Sequence, residues 1–196
     1  MDKRSRLVEA ASDLSYSRGF GHVALADIAE AAEVPLGNIY YYFKTKTAIG
    51  AAIIAQRRAE FQHMKTLWER EVTPAARLKA YIQMTMDNRQ NLSRSGCPMG
   101  SLCAELGKER NPLAVDVSGP FEALLAWIRD QFGQMGHAAE KDRLALHLLS
   151  AIQGVSLLAN SFRNPDLVAQ EAETLNAWID GLESDGEMRV AVGPVR

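Results

Sequence analysis

Two short helical patterns separated by only three residues constrain this chain more than any other feature. Residues 25–32 read LADIAEAA, residues 36–43 read LGNIYYYF, and Glu33, Val34 and Pro35 lie between them. Apolar residues recur at three- and four-residue intervals in both segments, which predicts helices rather than strands. Pro35 suits the start of the second helix, because a residue in the first turn needs no N–H. Two short helices joined by so brief a turn form a helix-turn-helix.

The same spacing continues along the chain and predicts an all-α protein of about nine helices. The first helix covers about residues 3–18, and Gly19 ends it, because glycine accepts a left-handed backbone at little steric cost. A long helix follows at about residues 46–71, with Thr45 as its cap. The other expected helices span about residues 73–92, 97–108, 111–135 with an interruption at residues 118–120, 139–162 and 165–182.

Composition and cysteine usage exclude several classes of protein. The longest apolar runs, between residues 144 and 159, are broken by polar side chains, so we expect no membrane-spanning helix. The basic N-terminus leads into an amphipathic segment rather than a signal sequence, which makes the cytoplasm the expected location. Cys97 and Cys103 fit neither a disulfide framework nor a zinc pattern.

Catalytic and metal-binding patterns are also missing from the sequence. His22, His63, His137 and His147 show no spacing typical of metal ligands. The chain has no glycine-rich phosphate loop, and Ser101 lacks the surroundings of a nucleophilic serine. We therefore expect that the protein is not an enzyme and that it has no catalytic residue, cofactor or metal.

Residues 19–53, GFGHVALADIAEAAEVPLGNIYYYFKTKTAIGAAI, carry a recognisable string. It resembles the DNA-binding domain of the TetR family of bacterial transcriptional repressors, in which Ile-Ala-x-x-Ala, Val-x-x-Gly-x-x-Tyr-x-x-Phe and a following lysine recur. The resemblance covers about residues 5–55. It implies a three-helix DNA-binding domain at residues 1–46 and a helical ligand-binding and dimerisation domain at residues 47–185. Residues 186–196 are expected to form a poorly ordered tail.

The second helix of the pair is the expected recognition helix, whose first residues read base edges in the major groove. Gly37 permits close approach to DNA, and Asn38 can donate to or accept from a base. By resemblance Tyr40 packs inward at least in part, while Tyr41 and Tyr42 offer hydroxyls to the DNA backbone. Lys46 lies where its ammonium can meet a phosphate. The full expected set of DNA-binding residues is Leu36, Gly37, Asn38, Tyr40, Tyr41, Tyr42, Lys44 and Lys46.

Three positions depart from the family pattern. Ala24 stands where a serine or threonine commonly caps the second helix, and Pro35 stands where one often opens the recognition helix. Glu33 replaces the usual turn glycine, so it must either adopt a left-handed backbone, at about 1 kcal/mol, or reshape the turn. We interpret these departures as changes in affinity rather than loss of DNA binding.

The resemblance also implies a dimer built by the last two helices, since one copy of the domain reads only half of a palindromic operator. The expected dimer residues are Leu148, Ile152, Val155, Leu175, Trp178 and Ile179. Ala151, Gly154 and Ser156 would let helices approach closely. The alternative is that these two helices only cap the core of one chain.

A small-molecule effector is the second implied partner, bound in the middle of the helical domain. Methionine and aromatic side chains suit an adaptable apolar pocket. The expected ligand-binding residues are Phe61, Met64, Trp68, Met84, Cys97, Met99, Phe121 and Leu125, although part of this set is ordinary core. The expected function is a repressor that a small apolar, aromatic or electrophilic effector releases from DNA.

The segment SGCPMGSLCAEL, residues 95–106, offers another function. Pro98 at a first helical position makes Cys97 the expected N-cap, where the helix dipole would lower the pKa of its thiol. The string resembles a subgroup of TetR-like repressors, some of which respond to electrophiles. The alternatives are therefore a helical adaptor without DNA binding, or a sensor whose signal is modification of Cys97. Both cysteines could also be small buried hydrophobes.

Overall fold

The structure, a computed structural model, describes residues 2–107 and 113–192, and these residues form helices and connecting turns with no strand among them. This confirms the expected all-α class. The N-terminal helices are α1 (Lys3–Arg18), α2 (Leu25–Ala31), α3 (Leu36–Tyr42) and α4 (Lys46–Trp68), with a single 3-10 turn at Phe20–His22. The later helices are α5 (Pro74–Asp87), α6 (Arg89–Ser95), α7 (Pro98–Leu106), α8 (Leu113–Asp116), α9 (Gly119–Gln134), α10 (Lys141–Phe162) and α11 (Asp166–Val192).

Two predicted helix boundaries are wrong. The helix expected at residues 73–92 is divided at Asn88, whose ψ of 6° departs from helical geometry, so that α5 and α6 are separate. The last helix does not end near Leu182, because its backbone stays helical to Val192. The predicted tail at residues 186–196 is thus helical at residues 186–192, and residues 193–196 lie outside the described part. The expected helix end at Lys108 and start at Asn111 also lie outside it.

The chain forms two compact units. The first contains residues 1–62 and 98–121, and the second contains residues 63–97 and 122–196. Each unit thus combines two separate stretches of sequence, and α7 and α8 belong to the same unit as the helix-turn-helix. This grouping differs from the predicted boundary at Lys46. The functional division into residues 1–46 and 47–185 stays a prediction.

An apolar core holds α3 in place within the first unit. Ile39 is fully buried and Phe43, which follows α3, is nearly so. They share one cluster with residues from α1, α2, α4, α7 and α8, including Leu7, Ile28, Ile53, Leu102, Leu106 and Leu113. Burying an isoleucine side chain contributes about 1.5–3 kcal/mol, so the position of α3 is fixed by its inner face.

Helices α5, α6, α10 and α11 pack together in the second unit. Leu78, Ile82, Leu148 and Leu175 are among its fully buried side chains. The same unit contains an aromatic group, with ring centroids 5.2 Å apart for Trp68 and Tyr81 and 5.0 Å apart for Trp68 and Trp127.

Helix α10 is long and apolar enough, by length and composition alone, to cross a membrane. The core helix of a soluble protein meets the same criterion, so this is weak support for a membrane span. One side of α10 supplies core residues to the second unit, among them Leu144, Leu148, Ile152 and Ala159. Leu146, Leu157, Leu158 and Phe162 of the same helix are exposed.

Candidate nucleic-acid interface

The turn before α3 is closed by backbone bonds and one left-handed residue. Glu33 has a φ of 52°, which confirms one of the two conformations expected for it. Its N–H donates to the Glu30 carbonyl at 3.0 Å, and the Val34 N–H donates to the Ala29 carbonyl at 2.9 Å. Glutamate at this φ is less favourable than glycine, but these bonds hold the turn in the geometry that α3 requires.

Both departures at the helix starts are visible as missing caps. The Ala24 N–H donates to Asp27 Oδ2 at 2.8 Å, but the alanine side chain has no oxygen to accept a bond in return. Helix α3 starts after Pro35 with no side-chain cap, and the Asn38 N–H donates to the Pro35 carbonyl at 2.8 Å. The two hydroxyl groups common in this motif are therefore absent at its helix starts.

The outer face of α3 carries an exposed polar and aromatic surface. Tyr41 is 82% exposed, Tyr40 is 52% exposed and Leu36 is 47% exposed. Gly37 is exposed as well, and a Cβ built on it would meet no atom within 4 Å. Asn38 is half-buried. The face therefore presents most of the predicted DNA-binding residues together, on a helix whose opposite side is fixed.

The structure corrects the predicted orientation of the three tyrosines. Tyr42, not Tyr40, packs against the core of the first unit. The reason is helical geometry: Tyr42 lies three residues after the buried Ile39 and beside the buried Phe43, whereas Tyr40 and Tyr41 are turned away from that side. The Tyr42 ring also meets Tyr41 edge to face at a centroid distance of 5.0 Å.

The two lysines after α3 differ in their surroundings. Lys44 is exposed. Lys46 Nζ donates to the Gly21 carbonyl at 2.8 Å and lies 4.9 Å from the centroid of the Phe20 ring. An ammonium group has three donors, so this bond leaves others for a phosphate. That Lys44 and Lys46 contact phosphates stays a prediction.

Arg4 was missed by the sequence analysis and belongs to this surface. Its guanidinium carbon lies 5.3 Å from the centroid of the Phe43 ring, and Phe43 is the residue that directly follows α3. Lys3 and Arg4 are both exposed at the start of α1. Asp2 caps that helix by accepting from the Ser5 N–H at 2.7 Å, and this bond lowers the pKa of the Asp2 carboxyl. The available signal was the cluster of three cations among residues 3–6.

Comparison with known proteins decides the family. Residues 7–53 match the family described as bacterial regulatory proteins, tetR family. The chain is 27% identical over 178 residues to the HTH-type transcriptional repressor DhaR of Mycobacterium sp. (strain GP1), covering 85% of this chain and 87% of that protein. It is 33% identical over 108 residues to the repressor NemR of Escherichia coli K12, covering 54% of each chain. Residues 7–53 thus form a DNA-binding domain of the TetR type.

Solved structures agree in fold with this assignment. A TetR-family regulator from Streptomyces coelicolor superimposes with a TM-score of 0.80 at 20% identity, over 93% of this chain and 95% of that one. The reduced form of E. coli NemR gives a TM-score of 0.76 at 24% identity, over 92% and 97% of the two chains. The TetR-type domain at residues 7–53 and the similarity to the repressor DhaR indicate a DNA-binding transcriptional regulator rather than an enzyme.

The residues predicted to bind a TetR-type effector are divided between the two units. Phe61, Met99 and Phe121 lie in the first unit, and the other five lie in the second. Trp68 is buried between Tyr81 and Trp127 and is core. The remaining seven residues are half-buried: Phe61, Met64, Met84, Cys97, Met99, Phe121 and Leu125. That they line one ligand site stays a prediction.

Cys97 is the residue directly before α7, which begins at Pro98 as expected. It is half-buried and packs against the small cluster formed by Leu92, Val155, Ala159 and Val168. Burial raises the pKa of the nearby Tyr81 hydroxyl, with a smaller contribution from the Cys97 thiol. Cys103 donates to the Val117 carbonyl at 3.3 Å. Both thiols thus take part in packing.

The predicted dimer surface needs correction. Leu148, Ile152, Val155, Leu175 and Ile179 are buried within one chain, and Trp178 is half-buried against Phe132 and His147. The five buried side chains fill the core of the second unit, so they are not available to a second copy. That Trp178 contributes to a dimer surface stays a prediction. The apolar side chains of α10 that remain exposed are Leu146, Leu157, Leu158 and Phe162. We call these four residues the outer stripe of α10.

Proposed function

We propose that this protein is a cytoplasmic repressor that binds a palindromic operator as a dimer and leaves it when a small effector binds. The observation that carries the proposal is the exposed face of α3, on which Leu36, Gly37, Tyr40 and Tyr41 point away from a core fixed by Ile39. DhaR and NemR, which the chain resembles over different lengths, are both named repressors, and this supports repression over activation.

A dimer follows from the size of the reading element. Helix α3 has seven residues, which reach only one half-site in a major groove. The outer stripe of α10 supports pairing, because exposed leucine and phenylalanine side chains along one helix are unfavourable in water. Gly154 lies on the same exposed side, and a Cβ built there would meet no atom within 4 Å. A second copy of α10 could therefore approach closely.

The effector is proposed to be a small apolar, aromatic or electrophilic compound. Met64 and Met84, two half-buried methionines of the second unit, suit such a ligand because their side chains adapt to shape. Helix α4 carries Lys46 at its first position and Met64 near its last turn. A ligand that favours a different position of Met64 would also shift the end of α4 that carries Lys46. Such a ligand would lower the affinity for the operator, because ligand binding and DNA binding then favour different arrangements of the same helix.

Selection of DNA by the protein tests this proposal. Wild-type protein is mixed with random-sequence duplexes, and bound DNA is recovered and amplified over several rounds. We expect one enriched sequence, called here the selected duplex, whose binding weakens steeply as salt rises. Failure to enrich any sequence would favour the alternative of a helical adaptor without DNA binding.

Arg4 gives a prediction that separates a local phosphate contact from an effect of overall charge. Arg4→Ala should weaken binding to the selected duplex about threefold to tenfold at 0.1 M salt and lower the salt slope by about one. Arg18→Ala is the matched control, since Arg18 is also exposed but lies about 20 Å away along α1. Equal effects of the two substitutions would show that Arg4 acts only through overall charge.

Modification of Cys97 is a second candidate for the signal. One observation favours it: Cys97 directly precedes α7. Helix α7 belongs to the first unit, which also contains the helix-turn-helix. Iodoacetamide-treated wild type should then lose the selected duplex, while treated Cys97→Ser should retain it. Equal loss in both proteins would remove this candidate.

A further inference from the structure

The turn between α1 and α2 is held by side chains from two other helices of the first unit. Glu105 of α7 accepts the Gly21 N–H at 3.0 Å through Oε2. Lys46 of α4 donates to the carbonyl of the same residue at 2.8 Å. Both sides of Gly21 are therefore tied by a charged group, and charged partners make the stronger hydrogen bonds. We call this pair of bonds the Gly21 clamp.

The shape of the turn is fitted to the Glu105 carboxylate. Gly19 has a φ of 87°, and a Cβ built on it would lie 3.2 Å and 3.3 Å from the two Glu105 oxygens. A glycine at this position meets both demands, the left-handed backbone and the space for the carboxylate. The conformation of the turn therefore leaves room for the Glu105 carboxylate beside Gly19.

The clamp lies directly before the reading elements. Val23 and Ala24 alone separate the 3-10 turn at Phe20–His22 from α2. Ala24 supplies no side-chain cap to α2, so the start of this helix depends on what holds the preceding turn. Helix α2 in turn packs against α3. The orientation of the helix-turn-helix is therefore sensitive to the Gly21 clamp.

Helix α7 is seated on α1 and α4 through a partly polar contact. Leu102 and Leu106 enter the core of the first unit, but beside them lies a cleft of about 10 Å³, the space of one water molecule. Its lining includes Ser12, Ser15, Arg57 and Ser101 as well as Glu105. Ser15 Oγ is buried with no hydrogen-bond partner among the described residues. We expect α7 to shift more easily on this partly polar contact than it would on a fully apolar one.

We propose that Glu105 is a positioning residue for DNA binding, and that α7 holds the helix-turn-helix in its DNA-reading arrangement through the Gly21 clamp. The proposal deepens the repressor function and rests on it, because it assigns the part that an effector signal must release. Helix α7 starts next to Cys97 and contains Met99, two of the predicted ligand residues. A ligand that displaced Met99 would therefore move the helix that carries Glu105.

Three substitutions at one position test the role of the carboxylate. Glu105→Gln keeps an acceptor oxygen at the same reach, Glu105→Asp keeps the charge but shortens the reach, and Glu105→Ala removes both. The Ala and Asp variants should bind the selected duplex about fivefold to tenfold more weakly, with unchanged binding to random duplexes. The Gln variant, whose neutral amide accepts a weaker bond at the same reach, should lose less, at most about threefold.

Glu9→Ala is the matched control, since it removes one exposed carboxylate from the same unit without touching the turn. It should leave selected-duplex binding within about twofold of wild type or slightly stronger. If Glu105→Ala fails to fold, the Asp and Gln variants alone decide. Wild-type affinity in Glu105→Asp, or equal weakening in Asp and Gln, would overturn the proposal.

Hydrogen exchange of the Gly21 amide, followed by NMR without DNA, separates this proposal from the repressor function. The amide should exchange about tenfold faster in Glu105→Asp than in wild type or Glu105→Gln. If wild type enriches no sequence, the repressor proposal fails while this measurement still reports on the clamp. Equal exchange rates in all variants would show that the Glu105 bond does not hold the turn.

Discussion

Leu157→Glu is expected to convert the protein to a monomer and to weaken binding to the selected duplex by about 100-fold or more. Leu157 is 66% exposed on the outer stripe of α10, so a glutamate there leaves the core of one chain intact. In a dimer the same charge would be buried against a second apolar helix without a partner. Losing the second half-site removes the gain from linked binding, which is commonly 100-fold or larger.

Val72→Glu is the control for this substitution. Val72 is 87% exposed in the segment between α4 and α5, so it makes an equal change of chemistry away from the outer stripe. Sedimentation velocity gives the oligomeric state, and thermal unfolding checks the fold. A Leu157→Glu protein that stays dimeric and binds like wild type would show that the outer stripe is not the dimer surface.

Tyr41→Ala is expected to weaken binding to the selected duplex about 10-fold to 100-fold while leaving thermal stability nearly unchanged. Tyr41 is the most exposed tyrosine of α3, and it shares an edge-to-face contact with Tyr42. We expect its ring to supply contact area and its hydroxyl to supply a bond to DNA, whereas little of the side chain is buried in the free protein.

Two related substitutions resolve what Tyr41 contributes. Tyr41→Phe should retain most of the affinity if ring contact dominates, and should match Tyr41→Ala if the hydroxyl dominates. Tyr42→Ala should instead lower the unfolding temperature, because Tyr42 packs against the core. Binding of Tyr41→Ala at wild-type strength would show that the exposed face of α3 does not meet DNA.

The sequence was sufficient to predict the reading helix because several local signals agree there. Apolar spacing, Pro35 and the tight turn all place α3 at nearly its observed position, and Glu33 adopts one of the two conformations expected for it. The predicted orientation of Tyr40 was wrong because it rested on the family resemblance rather than on helical geometry. Residues three apart share a face of a helix, so the buried Ile39 predicts that Tyr42 faces the core and that Tyr40 faces away from it.

Which apolar side chains of α10 stay exposed could not be predicted from periodicity alone. Helix α10 is apolar on two sides, and the pattern does not say which side faces its own chain. Leu148 and Ile152 proved to be core, while Leu157 and Phe162 stay exposed. Glu105 was overlooked for a related reason, since its partner Gly21 lies 84 residues earlier and no local pattern links them.

The mass and symmetry of the complex with the selected duplex test the central claim most directly. Native mass spectrometry counts the chains on the duplex, and the enriched sequence itself shows whether it is an inverted repeat. We expect two chains, or a multiple of two, on an inverted repeat whose half-sites lie one or more helical turns apart. A single chain bound to an asymmetric sequence would contradict the account of a dimer that reads DNA through α3.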